Sequence, residues 1–453
     1  MSDRKPTPDG PVATRSGARR PALLPRPRSS GAGRAPDGPR ARAGSLFTRS
    51  PRTTWTLALL AAVLVFAVRA ATGAEDLTSV GQVQGALAFA VPIGLAALGG
   101  LWSERAGVVN IGLEGMMILG TFGGAFIAWK SGSPWLGVLA GIALGALGGL
   151  LHAVVTVTFG VDHIVSGVAI NILAAGATAY AAKILFTSPA AEAAGGGAKQ
   201  SPPVGSLPSV TVPGLSPWLQ HVAAHHWFAV SDLAGIAGGI VTGLPVLTLI
   251  AVALVIGTYW VLWRTAFGLR LRSCGESPVA AESLGVGVYR YKYAAVVVSG
   301  GLAGLGGVFL AMVGSHFYQD GQTGGRGYIG LAAMIFGNWR PGGLVLGAGL
   351  FGYTDSLQLR GGGSSVHALL LVLTVLLAVL GLVNLYRRRR LAGGIGVGLA
   401  LAVGLWFGLT ATIPGEFVTA APYVTTLLVL ALASQRLRMP RADGMVYRRG
   451  GGT

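Results

Sequence analysis

Eleven apolar runs near twenty residues long recur along this chain, at 55–72, 83–101, 107–128, 134–159, 164–186, 243–263, 293–314, 342–358, 366–386, 392–410 and 420–435. A bilayer core of about 30 Å is crossed by roughly 20 helical residues, and inside it each segment must satisfy its own backbone N–H and C=O groups. Repeated runs of this length therefore leave an α-helical bundle as the architecture. The run 328–338 is shorter and reads as a half-helix or re-entrant segment; counted as a crossing, it returns both termini to one side. The expected fold class is all-α, a polytopic transmembrane helical bundle of about 10–12 spans.

Composition agrees with this reading. Of 453 residues, 52% are hydrophobic and 11% charged, against roughly 25% charged in a soluble domain. The 73 glycines suit helices that pack in lipid, where small residues let backbones approach.

The net charge of +18 would suggest nucleic acid in a soluble protein, so its distribution decides the matter. Twelve of the 34 Lys and Arg precede Trp55, in a stretch that also holds nine Pro. Residues 1–54 are therefore expected to be a disordered basic tail beside the cytoplasmic leaflet, not a nucleic-acid-binding arm. With that tail inside, 28 of the 34 basic residues fall on the cytoplasmic side, including those of the loop 264–292, Arg387 to Arg390 and the tail 436–453. The transmembrane domain is expected to run over 55–435, with both termini cytoplasmic. The Ala-, Gly- and Pro-rich stretch 187–242 should be an external loop, and its His221, His225 and His226 read as solvated, with no metal site. The single Cys274 excludes a disulfide framework.

Charges deep in spans are costly and usually face a cavity or a partner. Glu114 and Asp355 are the acids deepest in the predicted spans, and Asn110 lies one helical turn before Glu114. Asn110 and Glu114 are expected to line or brace a translocation path, with Gly107, Gly112 and Gly115 allowing close backbone approach. The alternative is that Glu114 pairs with a backbone group or with Arg105 to lock two helices. Asn171 and Asp355 are further path candidates, and His152, Asn338 and Gln358 are weaker ones. In the loop 264–292, Ser277-Pro278 reads as a helix start and Gly285 as its end. A six-residue echo, NIGLEG at 110–115 against YIGLAA at 328–333, fits two pseudo-repeated halves.

The segment GGLWSERAGVVNIGLEGMMILG at 99–120 resembles the signature of the permease family serving branched-chain amino acid, ribose-type sugar and nucleoside ABC importers, and SERxGVVNIGLEGMM resembles its nucleoside-type branch. RTAFGLRLRSCGESPVAAESLGVGVYRYKY at 264–293, GRGYIGLAAMIFGNWRPGG at 325–343 and the closing PYVTTLLVLALASQRLRMPRADGMVYRRG at 422–450 are similar to other parts of that family. The resemblance implies a bacterial plasma-membrane permease subunit for a nucleoside-like or simple-sugar solute. It further implies separate ABC ATPase subunits, a second related permease and an extracytoplasmic solute-binding protein as partners. It makes the loop 264–292 the ATPase-coupling element, with Gly275, Glu276, Pro278, Ala280, Ala281, Glu282 and Gly285 as its contact residues. No GxxxxGK[ST] occurs, so the chain is expected to have no ATPase site of its own and no cofactor. The alternatives are an ion-coupled secondary transporter acting alone, with a site built from Glu114 and Asp355, or an intramembrane enzyme. No HExxH or GxSxG segment supports the enzyme.

Overall fold

The computed structural model describes residues 51–360, 362–415, 417, 418, 420 and 437–450. The expectations for residues 1–50 and for the run 421–435 lie outside this set.

The helices follow the apolar runs. In chain order they are α1 (Pro51–Thr72), α2 (Val80–Arg105), α3 (Leu113–Ser131), α4 (Pro134–Ala153), α5 (His163–Leu185), α6 (Pro189–Ala193), α7 (Leu215–Ala223), α8 (Val230–Val241), α9 (Val246–Arg264), α10 (Ala266–Glu276), α11 (Pro278–Ser283), α12 (Val288–Phe309), α13 (Arg326–Phe336), α14 (Pro341–Arg360), α15 (Gly362–Tyr386) and α16 (Arg390–Leu409). Among the described residues, seven helices are long and apolar enough to cross a membrane: α2, α4, α5, α9, α12, α15 and α16. Helices α1, α3 and α14 have comparable lengths of 22, 19 and 20 residues. α13 has 11 residues, the half-length that the short run 328–338 predicts.

Helix ends follow local chemistry. Ser79, Ser133 and Asp162 accept backbone N–H bonds at the starts of α2, α4 and α5, satisfying donors the helix itself cannot. α4 and α12 each run on into one π-helical turn, Val154–Thr158 and Leu310–Gly314, a local widening that often accompanies functional sites.

The centre is α2 and α12. α12 packs against α4, α2 and α3, while α2 also contacts α13 and α14; α15 and α16 pair with each other at the periphery. Glycine makes the central crossings close. A Cβ built on Gly300 would sit 2.2 Å from the Gly145 carbonyl, one on Gly304 2.4 Å from that of Gly141, and one on Gly120 2.2 Å from that of Gly304. These helices touch backbone to backbone, the packing small residues permit in lipid.

The stretch 187–242 is not the featureless loop its Gly and Pro content suggests. It carries α6, α7 and α8, and Ser209–Val210 pairs antiparallel with Leu244–Pro245. Its anchor is Asp232, wholly buried, which accepts from the Thr78 hydroxyl at 2.6 Å and the Ala229 N–H at 3.2 Å and lies 2.9 Å from Arg69 Nε. A buried carboxylate is tolerable when it is paired and hydrogen-bonded in this way, and the result fastens the insertion to α1 and to the turn before α2. His225 stacks on Trp227 and His226 lies 3.0 Å from Glu75. Among the described residues no cluster of His, Cys, Asp and Glu could hold a metal ion.

Candidate translocation core and cytoplasmic coupling face

Between α2 and α3 the chain breaks at 106–112, and between the π turn of α12 and α13 it breaks at 315–325. The N-termini of α3 and α13 meet across these breaks. Glu114, in the first turn of α3, accepts from Gly325 N at 3.0 Å through Oε1 and from Gly327 N at 2.7 Å through Oε2. One carboxylate thus satisfies two orphan donors of α13 while lying at the positive end of its own helix. Asn171 of α5 completes the junction: its Oδ1 accepts from Gly115 N at 2.7 Å, and its Nδ2 donates to the Ile111 carbonyl and the Tyr328 hydroxyl at 3.0 and 2.8 Å. Gly115 and Gly327 leave no room for a side chain, since added Cβ atoms would lie 2.8 Å from the Ile170 carbonyl and 2.6 Å from Glu114 Cα.

The first break is stitched to its surroundings. His152 Nε2 donates to the Val109 carbonyl at 2.9 Å, Val109 N donates to His163 Nδ1 at 3.2 Å, and Lys292 Nζ donates to the Gly107 carbonyl at 3.2 Å. Asn110, fully buried, donates through Nδ2 to Ser299 Oγ at 2.9 Å, while its Oδ1 has no hydrogen-bond partner among the described residues. A Cβ built on Gly112 would lie 3.3 Å from that oxygen.

Of the path candidates, Glu114, Gly115 and Asn171 therefore share one junction, with Asn110 and Gly112 on the adjoining break. Asp355 is elsewhere, half-buried on α14 and facing the Arg326 charge. The alternative role for Glu114, a bond to backbone that locks two helices, is its geometry in this structure. Arg105, the other partner considered, instead donates to the Trp339 carbonyl. The NIGLEG echo falls out of register, because Ile111 precedes α3 whereas Ile329 lies inside α13.

On the face where the basic loop 264–292 lies, α10 precedes the short helix anticipated from Ser277-Pro278. α11 starts with Ser277 at the cap position and Pro278 in its first turn, and Gly285 follows it with φ +80°, a left-handed value that glycine adopts without strain. The Ser277 side chain makes no capping bond. Val279 and Leu284 are exposed, Leu284 at 83%. Ala281 and Gly275, expected as contacts for an ATPase, point inward instead. Ala281 is 2% exposed and packs with Cys274, Val288 and Tyr447, and a Cβ on Gly275 would lie 2.4 Å from the Arg105 carbonyl. Glu276, Pro278, Ala280, Glu282 and Gly285 remain at least partly accessible. Burial pushes the Cys274 thiol up to about 11.

The pattern of the family described as branched-chain amino acid transport system, permease component, matches residues 82–380, more than half of the chain. The chain belongs to this permease family. The permease is also 32% identical to the guanosine ABC transporter permease protein NupQ of Bacillus subtilis over 374 residues, which cover 81% of this chain and 96% of NupQ. It is 33% identical to the nucleoside ABC transporter permease protein NupC of Lactococcus lactis, over 80% of this chain and 94% of NupC. It is 36% identical to the putative glucose ABC transporter permease protein TsgC13 of Haloferax volcanii, over 59% of this chain and 73% of that one. No solved structure matches it.

Several residues that shape this permease escaped the sequence reading. Glu104 accepts from the Trp339 indole at 2.5 Å and neighbours Asp443, whose carboxyl burial pushes up to about 7. Ser299 and Tyr328 bind Asn110 and Asn171. Glu104 sits beside Arg105 at the end of an apolar run, where charge reads as an ordinary interfacial pair; Ser299 and Tyr328 carry no charge to draw attention.

Proposed function

We propose that this permease is the membrane-spanning subunit of an ABC importer for a nucleoside-class solute in a bacterial plasma membrane. The observation that carries the reading is the match to NupQ along 96% of that protein's length. The substrate class rests on the NupQ and NupC names and on the nucleoside-type signature at 99–120. Energy comes from separate ATPase subunits, solute arrives on an extracytoplasmic binding protein, and a second, related permease completes the path. The concentration of basic residues in the tails and the loop 264–292 supports a cytoplasmic location for both termini.

In this reading α3 and α13 are the two half-helices flanking the path, with Glu114 and Asn171 holding their N-termini together and Asn110 Oδ1 the polar atom left for a solute or for a moving helix. The ATPases meet α11 through its exposed residues Val279, Ala280 and Leu284, with Pro278, Glu282 and Gly285 at the margin. Ala281 and Gly275 support that surface from inside.

Leu284→Asp tests this docking face. The residue touches little of its own chain, so membrane accumulation should stay normal. A desolvated charge in the joint should cost about 2–5 kcal/mol and strip the ATPases from the purified complex. Co-purification and uptake at wild-type levels would remove α11 from the docking surface.

A further inference from the structure

The closing segment 437–450 does not hang from the bundle. It crosses the cytoplasmic coupling face, bonding to α10, to Tyr289 of α12 and to the turn between α13 and α14, and packing on α11. Arg438 N donates to Asn338 Oδ1 at 2.7 Å, in the turn between α13 and α14. Ala442 N donates to the Gly275 carbonyl at 2.8 Å and Arg441 N to Glu276 Oε2 at 3.3 Å, both at the end of α10. Tyr447 is 9% exposed, its ring lies 5.4 Å from that of Tyr289 at the start of α12, and it packs against Ala281 of α11. The Ala442 carbonyl lies 3.2 Å from a Cβ built on Gly107, so the segment also touches the break before α3.

The turn it grips is strained. Asn338 and Trp339 take φ values of +54° and +52° in succession, a left-handed pair without glycine that survives only where surroundings hold it. Trp339 is held by its indole bond to Glu104 and by Arg105 on its carbonyl. Asp443, 8% exposed, sits beside Glu104 and faces the Lys292 and Arg105 charges.

We propose that residues 437–450 are a strap that transmits movement of α10 and α11 to the strained Asn338–Trp339 turn and to the break before α3, with Tyr447 as its main positioning residue. The contacts support transmission because one short segment joins the helix pair exposed to a cytoplasmic partner with the break before α3 and with the Asn338–Trp339 turn. Its backbone bonds to α10, to the turn between α13 and α14 and, through the Tyr447 carbonyl that accepts from Tyr289, to α12, more anchorage than filling space requires. The inference rests on the ABC reading above.

The test uses the complete importer, with ATPases, second permease and solute-binding protein, reconstituted in vesicles. Tyr447→Ala, Tyr447→Phe and a chain lacking 437–453 are compared by ATPase co-purification, ATP hydrolysis and solute taken up per ATP hydrolysed. Tyr447→Ala should keep its ATPases and its hydrolysis within about twofold, yet lose at least about tenfold in uptake per ATP. Tyr447→Phe, which keeps the ring, should restore it, and the truncation should match or exceed the alanine defect. An unchanged uptake-to-ATP ratio in Tyr447→Ala would overturn the strap, as would loss of hydrolysis and co-purification in step with uptake, since that marks a support for folding or docking only. Should the ABC reading itself fail, the unmodified importer would show no ATP-dependent uptake.

Discussion

Glu114→Ala is expected to lower the thermal stability of the permease sharply and to bring uptake close to background. The carboxylate is 6% exposed and accepts from both Gly325 N and Gly327 N. Alanine leaves two amides at the start of α13 buried and unpaired and removes a negative charge from the N-termini of two helices. Charge-assisted bonds are each worth about 1.5–3 kcal/mol, so the pair amounts to roughly 3–6 kcal/mol. Glu114→Gln keeps one acceptor oxygen but turns an NH2 group toward the second amide, so it should fall between wild type and alanine. Thermal unfolding in detergent, followed by uptake in vesicles, measures both effects. Wild-type stability in the alanine variant would show that the amides of α13 find another acceptor.

Gly300→Val should leave no folded permease to assay. The first added carbon would come 2.2 Å from the Gly145 carbonyl oxygen and 2.9 Å from Gly149 Cα, both in the backbone of α4. No rotamer relieves a clash with backbone, so α12 and α4 would have to separate along a crossing that also carries Gly141 and Gly304. Ordinary overpacking costs about 1–3 kcal/mol, and this contact lies at or beyond that upper end. Gly398→Ala on α16, where an added Cβ meets nothing within 4 Å, is the control: it should change stability by no more than about 1 kcal/mol and gain from reduced backbone entropy. The measurement is the monodisperse fraction recovered from membranes. Normal recovery of Gly300→Val would contradict the close crossing.

The parts of this architecture visible in the sequence are those set by local chemistry. Hydrophobic length placed the spans, and Ser277-Pro278 with Gly285 located α11 to within a residue or two. The face that α11 presents was not legible, because a helix of six residues has too few turns for a periodic pattern; Ala281 looked like a contact residue and is an interior one. The helices of 187–242 were hidden by Gly and Pro content, and what fixes them is the pairing of Asp232 with Arg69 and Thr78, residues far away in the sequence. Glu114 stood out as a charge in an apolar run, but its partners Gly325 and Gly327 lie 211 and 213 residues further on, and no spacing rule links the start of one helix to that of another. The same holds for the C-terminal segment, where only the fold brings Ala442 to Gly275 and Tyr447 to Tyr289.

In the proposed importer this chain forms the path while other subunits supply the energy. The most direct measurement is uptake of a labelled nucleoside into vesicles, with ATP and the solute-binding protein on their respective sides, comparing the chain alone with the chain joined to its ATPases and second permease. ATP-dependent uptake by the full assembly, and none by the chain alone in the presence of proton or sodium gradients, is the predicted result. Gradient-driven uptake by the chain alone would contradict it.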